Sequence, residues 1–231
     1  MKLFLFDVDL TLVNTGGAGI RALNQATEEV LGVPEAMAAI TPHGKTDPAI
    51  VREIFAQSYH DYSHTFKHFK EEILEKYLMY LQREVRDSDS YRVLPGILSL
   101  LTEVSARDDI RLGLATGNLE QGARIKLERG DLNPYFAFGG FGSDAEDRRE
   151  VVLQAAQQGN LSSGRGVSGA DIYVIGDTPK DIEAGKQAGF QTVGVATGNY
   201  SVEALQATEA DIVIEDFVAG RDQFLSSTCT L

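Results

Sequence analysis

Asp7 and Asp9 close the first apolar run of the chain, in which Leu3-Phe4-Leu5-Phe6 leads into Asp7-Val8-Asp9-Leu10-Thr11-Leu12. Carboxylates are costly where a buried strand emerges. The carboxyl edge of a parallel sheet is also where α/β proteins carry their chemistry. One such carboxylate can attack an electrophile while the other, two residues on, handles protons. Three further segments hold reactive residue types. Thr116-Gly117-Asn118 offers a hydroxyl and backbone N–H groups at an expected helix start, which suits a phosphate. Arg148 lies near the start of the next expected helix and supplies a fixed cation. Asp177 and Asp181 fall in Gly176-Asp177-Thr178-Pro179-Lys180-Asp181. Carboxylates gathered in this number repel one another without a divalent ion. Hard oxygen donors with room for a phosphate point to Mg2+.

Apolar patterning predicts the elements that position these residues. Short apolar runs at 3–6, 110–115, 136–141, 172–175, 192–196 and 211–215 read as strands. Helices are expected between them: after Asn118, where Leu119, Ala123 and Leu127 keep helical spacing, over 149–158, and from Pro179 onward. This βαβα rhythm predicts an α/β fold with a Rossmann-like parallel sheet. Residues 14–91 break the rhythm. Ile20, Leu23, Thr27 and Val30 fall on one helical face, and Ile50, Ile54 and Phe55 suggest a second helix. Phe66, Phe69, Ile73, Tyr77, Tyr80 and Glu84 trace a third. A helical domain over 14–91 is therefore expected to interrupt a core built from 1–13 and 92–231, with Leu94-Pro95-Gly96 marking the return. Residues 159–169 are rich in Gly and Ser and read as a solvent loop.

The 231 residues, 43% hydrophobic, are enough for a full core plus an insertion. A net charge of −13 argues against a nucleic-acid partner, because phosphate backbones need a basic face. The single cysteine, Cys229, precludes an intrachain disulfide and suits a reducing compartment. No apolar stretch reaches membrane-spanning length, and the N-terminal run lacks a signal-peptide pattern. The expectation is a cytoplasmic protein with no membrane partner, monomeric or homodimeric. Other patterns carry less. Gly164-x-Gly166-x-x-Gly169 precedes a strand rather than following one, the wrong context for a dinucleotide. Gly44-Lys45-Thr46 lacks the glycine a phosphate loop needs at position 39, which is Ala. His60, His64 and His68 repeat every four residues without further ligands and read as a polar helix face. The acids at 144–147 read as a solvated loop before a helix start.

Taken together, the motifs resemble those of the haloacid dehalogenase superfamily of hydrolases, in particular its phosphoglycolate phosphatase-like branch. Asp7-Val8-Asp9-Leu10-Thr11-Leu12 is similar to the family's first motif, with Leu10 in place of the usual Gly. Leu114-Ala115-Thr116-Gly117-Asn118 resembles the second motif and Val174-Ile175-Gly176-Asp177-Thr178-Pro179-Lys180-Asp181 the fourth. The third motif usually centres on Lys. Here Arg148 is the best match and Arg149 the alternative, and an Arg fork can hold a phosphoryl oxygen and a carboxylate at once. The resemblance implies a Mg2+-dependent phosphatase acting on a small phosphorylated metabolite. Asp7 would be the nucleophile, forming an aspartyl phosphate, and Asp9 the acid and base. Asp7, Asp9, Asp177 and Asp181 would serve the metal, and Thr116, Gly117, Asn118 and Arg148 the phosphoryl oxygens. Asp9 itself argues against the dehalogenase branch, which lacks that second acid. The helical insertion is similar to the family's α-helical cap, and Lys45, in His43-Gly44-Lys45-Thr46-Asp47, is the candidate for a substrate contact. The competing expectations are a β-phosphoglucomutase-like phosphotransferase and, in a different class, a non-catalytic phosphate-binding protein.

Overall fold

Strand β1 (Lys2–Phe6) has no polar alternation because both of its faces are covered. Phe4 and Phe6 enter one apolar cluster with Leu101, Leu114 and Phe224. Leu3 and Leu5 enter another, with Val152, Ala155 and Val174. The computed structural model describes residues 1–58, 66–164 and 166–229. After β1 come β2 (Val13–Asn14), α1 (Ala18–Leu31), α2 (Asp47–Ser58), α3 (Phe66–Asp87) and β3 (Arg92–Val93). The chain continues through α4 (Ile97–Ser105), β4 (Ile110–Thr116), α5 (Glu120–Glu128), β5 (Phe138–Phe141), α6 (Arg148–Ser163) and β6 (Ile172–Gly176). It ends with α7 (Pro179–Gln187), β7 (Gln191–Val195), α8 (Val202–Gln206), β8 (Ile212–Ile214) and α9 (Arg221–Thr228).

Six strands pair in the order β5-β4-β1-β6-β7-β8, and every pairing is parallel. Phe6 lies opposite Leu114 on one side and Ile175 on the other. The chain first builds outward from β1 through β4 to β5, then returns to place β6 on the opposite side. β1 is thus the topological switch point, and the crevice beyond its carboxyl end is where such sheets bind ligands. The aromatic core fixes β1 in place: Phe4 meets Tyr173 and Phe224 edge-on at 5.3 and 5.5 Å between ring centroids.

The helical insertion has its own apolar cluster, which includes Leu23, Ile54, Phe55, Ile73, Tyr77 and Leu81 from α1, α2 and α3. Its two chain crossings are laced by a short antiparallel ladder, Val13 opposite Val93 and Asn14 opposite Arg92. Two expectations are corrected. Ile20 does not share the buried face of Leu23 and Thr27: it is 44% exposed and lines a cavity instead. Residues 159–163 are not loop, because α6 runs on to Ser163. Gly159 belongs to the buried face of that helix, where a Cβ would meet Leu3 at 2.7 Å and Phe138 at 2.8 Å. The helix then stops at Gly164, in the left-handed conformation. The acids at 144–147 do more than meet solvent. Asp147 caps α6 through the N–H groups of Arg149 and Glu150, while Glu146 accepts both guanidinium arms of Arg52 and the ammonium of Lys70. Among the described residues no helix is long and apolar enough to cross a membrane.

Candidate active site

Four strand ends converge on the crevice beyond β1. Asp7 still bonds into the sheet, its N–H donating to Ile175 O at 2.9 Å. The chain then turns sharply. Leu10 N donates to Val13 O at 2.8 Å, and Leu10 itself adopts φ of 57°. Its backbone therefore occupies a left-handed conformation that costs about 1–2 kcal/mol outside glycine. Thr197 helps hold the turn by donating its hydroxyl to Leu10 O at 2.6 Å.

Arg148, the first residue of α6, reaches across this turn. Its Nη2 donates to Asp7 Oδ1 at 2.8 Å and to Asp181 Oδ1 at 2.5 Å. Arg149 points away, to Glu150 and the Gln187 carbonyl. The sequence alternatives thus separate by geometry: one arginine faces the crevice and the other the surface. Asp181 is doubly held, because its Oδ2 also accepts from the N–H and hydroxyl of Thr178 in the capping box that starts α7.

Asp177 is the exception in this network. It is 2% exposed, and among the described residues no cationic side chain pairs with it. Gly198, having no side chain, lets the following loop lie directly against it. Burial, and then the carboxylates of Asp181, Asp7 and Asp9, push the Asp177 carboxyl up to about 9. Burial also pushes Asp7 up to about 6, although Arg148 opposes the shift. Burial alone would depress the Arg148 guanidinium, but Asp181 and Asp7 raise it on balance. One oxygen from each of Asp7, Asp177 and Asp181 lies within 4.8 Å of the others. A buried, all-oxygen, under-neutralised cluster of this kind fits a hard divalent cation.

The second strand end brings Thr116, Gly117 and Asn118 to the same crevice. Thr116 is fully buried, and its Oγ1 accepts from Asn118 Nδ2 at 2.8 Å. The N–H groups just beyond this segment are taken by other elements: Leu119 N donates to Asp47 Oδ2 at 2.9 Å and Glu120 N to Ser143 Oγ at 3.3 Å. Two buried residues here carry roles that the motifs did not assign. Asp47, from the start of α2, is pushed up to about 6 by burial, against the pull of Lys126 and the Leu119 N–H. Lys126, on α5, donates to Asp9 Oδ2 at 2.6 Å and Asn118 Oδ1 at 2.5 Å. Neither belongs to a strand-end motif. Their helical spacing alone would have assigned Lys126 to a solvent face and Asp47 to a helix start.

The helical insertion closes over these groups. Asp47 N donates to Gly117 O at 2.8 Å, and Thr46 Oγ1 to Glu146 O at 3.0 Å. Gly117 admits the Lys45 backbone at close range, where any side chain would collide. Lys45 lines the cavity between insertion and sheet, with its ammonium paired to Glu53. That cavity has a volume of about 360 Å³. Its floor carries Asp7, Asp9 and Lys126, and its roof includes Leu23, Ile50 and Tyr77. Of the histidine stripe, His60 and His64 lie outside the described residues. His68 is on α3, exposed, with Glu72 at 3.9 Å.

Comparison with known proteins agrees with this geometry. The family model for haloacid dehalogenase-like hydrolases matches residues 4–195. A phosphoglycolate phosphatase of Synechococcus elongatus is 27% identical over 139 residues, 60% of this chain and 62% of that protein. A phosphoglycolate phosphatase of Rhodospirillum rubrum is 33% identical over 128 residues, 55% of this chain and 51% of that protein. The chain thus aligns with between one half and two thirds of the length of these relatives. Among solved structures, a β-phosphoglucomutase from Clostridium difficile superposes with a TM-score of 0.72 at 21% identity, covering 99% of this chain and 96% of that one.

Proposed function

Because the chain belongs to the haloacid dehalogenase-like hydrolase family, we propose that it is a Mg2+-dependent phosphatase of small phosphomonoesters, working through an aspartyl phosphate on Asp7. The observation that carries this reading is the bridge of Arg148 between Asp7 and Asp181 beside Asp177, which pairs with no cation among the described residues, at the switch point of the sheet. The relatives named phosphoglycolate phosphatase support the same class of substrate. We assign the core to residues 1–13 and 92–231 and the cap to 14–91.

Asp7, Asp177, Asp181 and the Asp9 carbonyl would hold Mg2+, whose charge, when bound, offsets the repulsion between the Asp7 carboxylate and a phosphoryl dianion. Arg148 fixes the attacking carboxylate and presents guanidinium N–H groups toward the phosphoryl oxygens. Thr116 and Gly117 line the same side of the cavity. In the first step an Asp7 oxygen bonds to phosphorus, the bond to the leaving oxygen breaks, and Asp9 gives that oxygen a proton. In the second, water attacks the aspartyl phosphate, Asp9 takes the proton of the water, and phosphate departs with Asp7 restored. The cap excludes bulk water during both steps. Its cavity, at the lower end of the usual range for ligand sites, suits a leaving group of metabolite size. Lys45 reaches such a group by exchanging Glu53 for it.

The test is a screen of phosphomonoesters with Mg2+, run on the wild type, Asp7→Asn and Lys45→Ala. Phosphate release that EDTA and Asp7→Asn both abolish is expected. No release from any ester, or release that survives Asp7→Asn, overturns the reading. Turnover that needs priming by a sugar bisphosphate would instead point to a phosphotransferase.

A further inference from the structure

Lys126 belongs to none of the strand-end motifs, yet its side chain is as buried as theirs, 4% exposed. On α5 its neighbours Ala123 and Leu127 pack into the core. An aliphatic residue at 126 would avoid the cost of desolvating an ammonium. The charge is retained in a closed triangle. Lys126 Nζ donates to Asp9 Oδ2 at 2.6 Å and to Asn118 Oδ1 at 2.5 Å, and Asn118 Nδ2 donates to the same Asp9 oxygen at 2.8 Å. The other amide hydrogen of Asn118 goes to Thr116 Oγ1, which anchors the triangle to the end of β4. Around it stand Tyr77 from α3 and Asp47 from α2. The Lys126 ammonium and the Tyr77 hydroxyl both face Gly19 on α1, within 4 Å of where a Cβ would lie.

The two donors on Asp9 both meet Oδ2, and among the described residues no hydrogen bond is made to Oδ1. An oxygen faced by an ammonium and an amide N–H has no place for a proton of its own. The other oxygen does.

We propose that Lys126 is a positioning residue which, with Asn118, turns Asp9 so that Oδ1 is the oxygen exchanging a proton with the leaving group. The inference rests on the phosphatase reading of Asp9. In the step concerned, the Oδ1–H bond breaks and the leaving oxygen gains that hydrogen as its bond to phosphorus breaks. Lys126 stays bonded to Oδ2 throughout and transfers nothing.

The experiment uses uncharged leaving groups, so that no charge contact with the substrate enters. kcat/KM is measured with Mg2+ for a series of substituted phenyl phosphates, from 4-nitrophenyl to phenyl, on the wild type and Lys126→Met. A nitrophenolate departs without help, whereas a phenolate gains from a proton. Lys126→Met should therefore lose about 10- to 100-fold on phenyl phosphate and less than about 3-fold on 4-nitrophenyl phosphate. The slope against leaving-group basicity steepens accordingly. A uniform loss across the series, or no loss, overturns the proposal, since a merely structural role would not change the slope. Should the Met variant not fold, Lys126→Gln, which keeps one donor, is read in the same way. If the wild type hydrolyses none of the series, the phosphatase reading itself fails and this inference falls with it, an outcome distinct from a flat slope in an active enzyme.

Discussion

An Asp177→Asn substitution exchanges a buried carboxyl for its neutral isostere, and in the metal-free protein it should raise stability rather than lower it. The folded state holds Asp177 at about 9, against an ordinary value of 3.8. The unfolded chain therefore releases a proton that the folded protein keeps, and metal-free stability falls as pH rises from 3.8 toward 9, levelling off above. Each pH unit in that window is worth about 1.4 kcal/mol, so by about pH 7.5 the cost reaches at most roughly 5 kcal/mol. Relaxation and water entry reduce such penalties, which leaves roughly 2–5 kcal/mol. For a chain of this size that is a rise in melting temperature of roughly 5–15 °C. The assay is a set of thermal melts in EDTA across this pH range, repeated with Mg2+. The variant should melt higher in EDTA at neutral pH, the gap should close as pH approaches about 4, and Mg2+ should stabilise only the wild type. An Asp177→Asn protein that melts lower in EDTA, or by an amount independent of pH, refutes the assignment of Asp177 as the uncompensated charge of the cluster.

Three more substitutions test named contacts. Arg148→Lys keeps the charge but not the fork that joins Asp7 to Asp181. The protein should stay folded while kcat falls by about 10²-fold or more; Arg148→Gln, which strands two buried carboxylates, should destabilise the metal-free protein by about 3–5 kcal/mol in denaturant melts. Glu146 is held down to about 2, first by hydrogen bonds from Arg52. Its clasp of the cap is thus fully present above its ordinary value of 4.5 and lost as pH falls from there toward 2. Glu146→Gln should cost about 1 kcal/mol in melts at neutral pH, less in high salt.

Which parts of the site were legible in the sequence follows from how each residue does its work. Asp7, Thr116 and Asp177 each end an apolar run, and a local pattern is enough to find them. The parallel sheet was legible for the same reason, since β1, β6 and β4 from Leu112 onward are buried on both faces and carry no polar alternation. Lys126 and Asp47 act through partners 117 and 72 positions away, which no local pattern encodes. Glu146 looked like one more acid in a solvated run because Arg52 and Lys70 lie on other helices. Gly159 suggested a loop by composition, whereas it is small so that α6 can lie against Leu3 and Phe138. The split between Arg148 and Arg149 needed the direction of the first turn of α6, which adjacent residues of identical type cannot reveal.

The central claim, that Asp7 carries the phosphoryl group, is tested most directly by acid-quenching the enzyme during turnover of an activated phosphomonoester with Mg2+ and analysing its peptides by mass spectrometry. One phosphoryl group should be found on the peptide containing Asp7 and on no other, and it should be absent from Asp7→Asn. Steady turnover with Asp7 unmodified at every quench time, or an Asp7→Asn enzyme as fast as the wild type, would contradict the account.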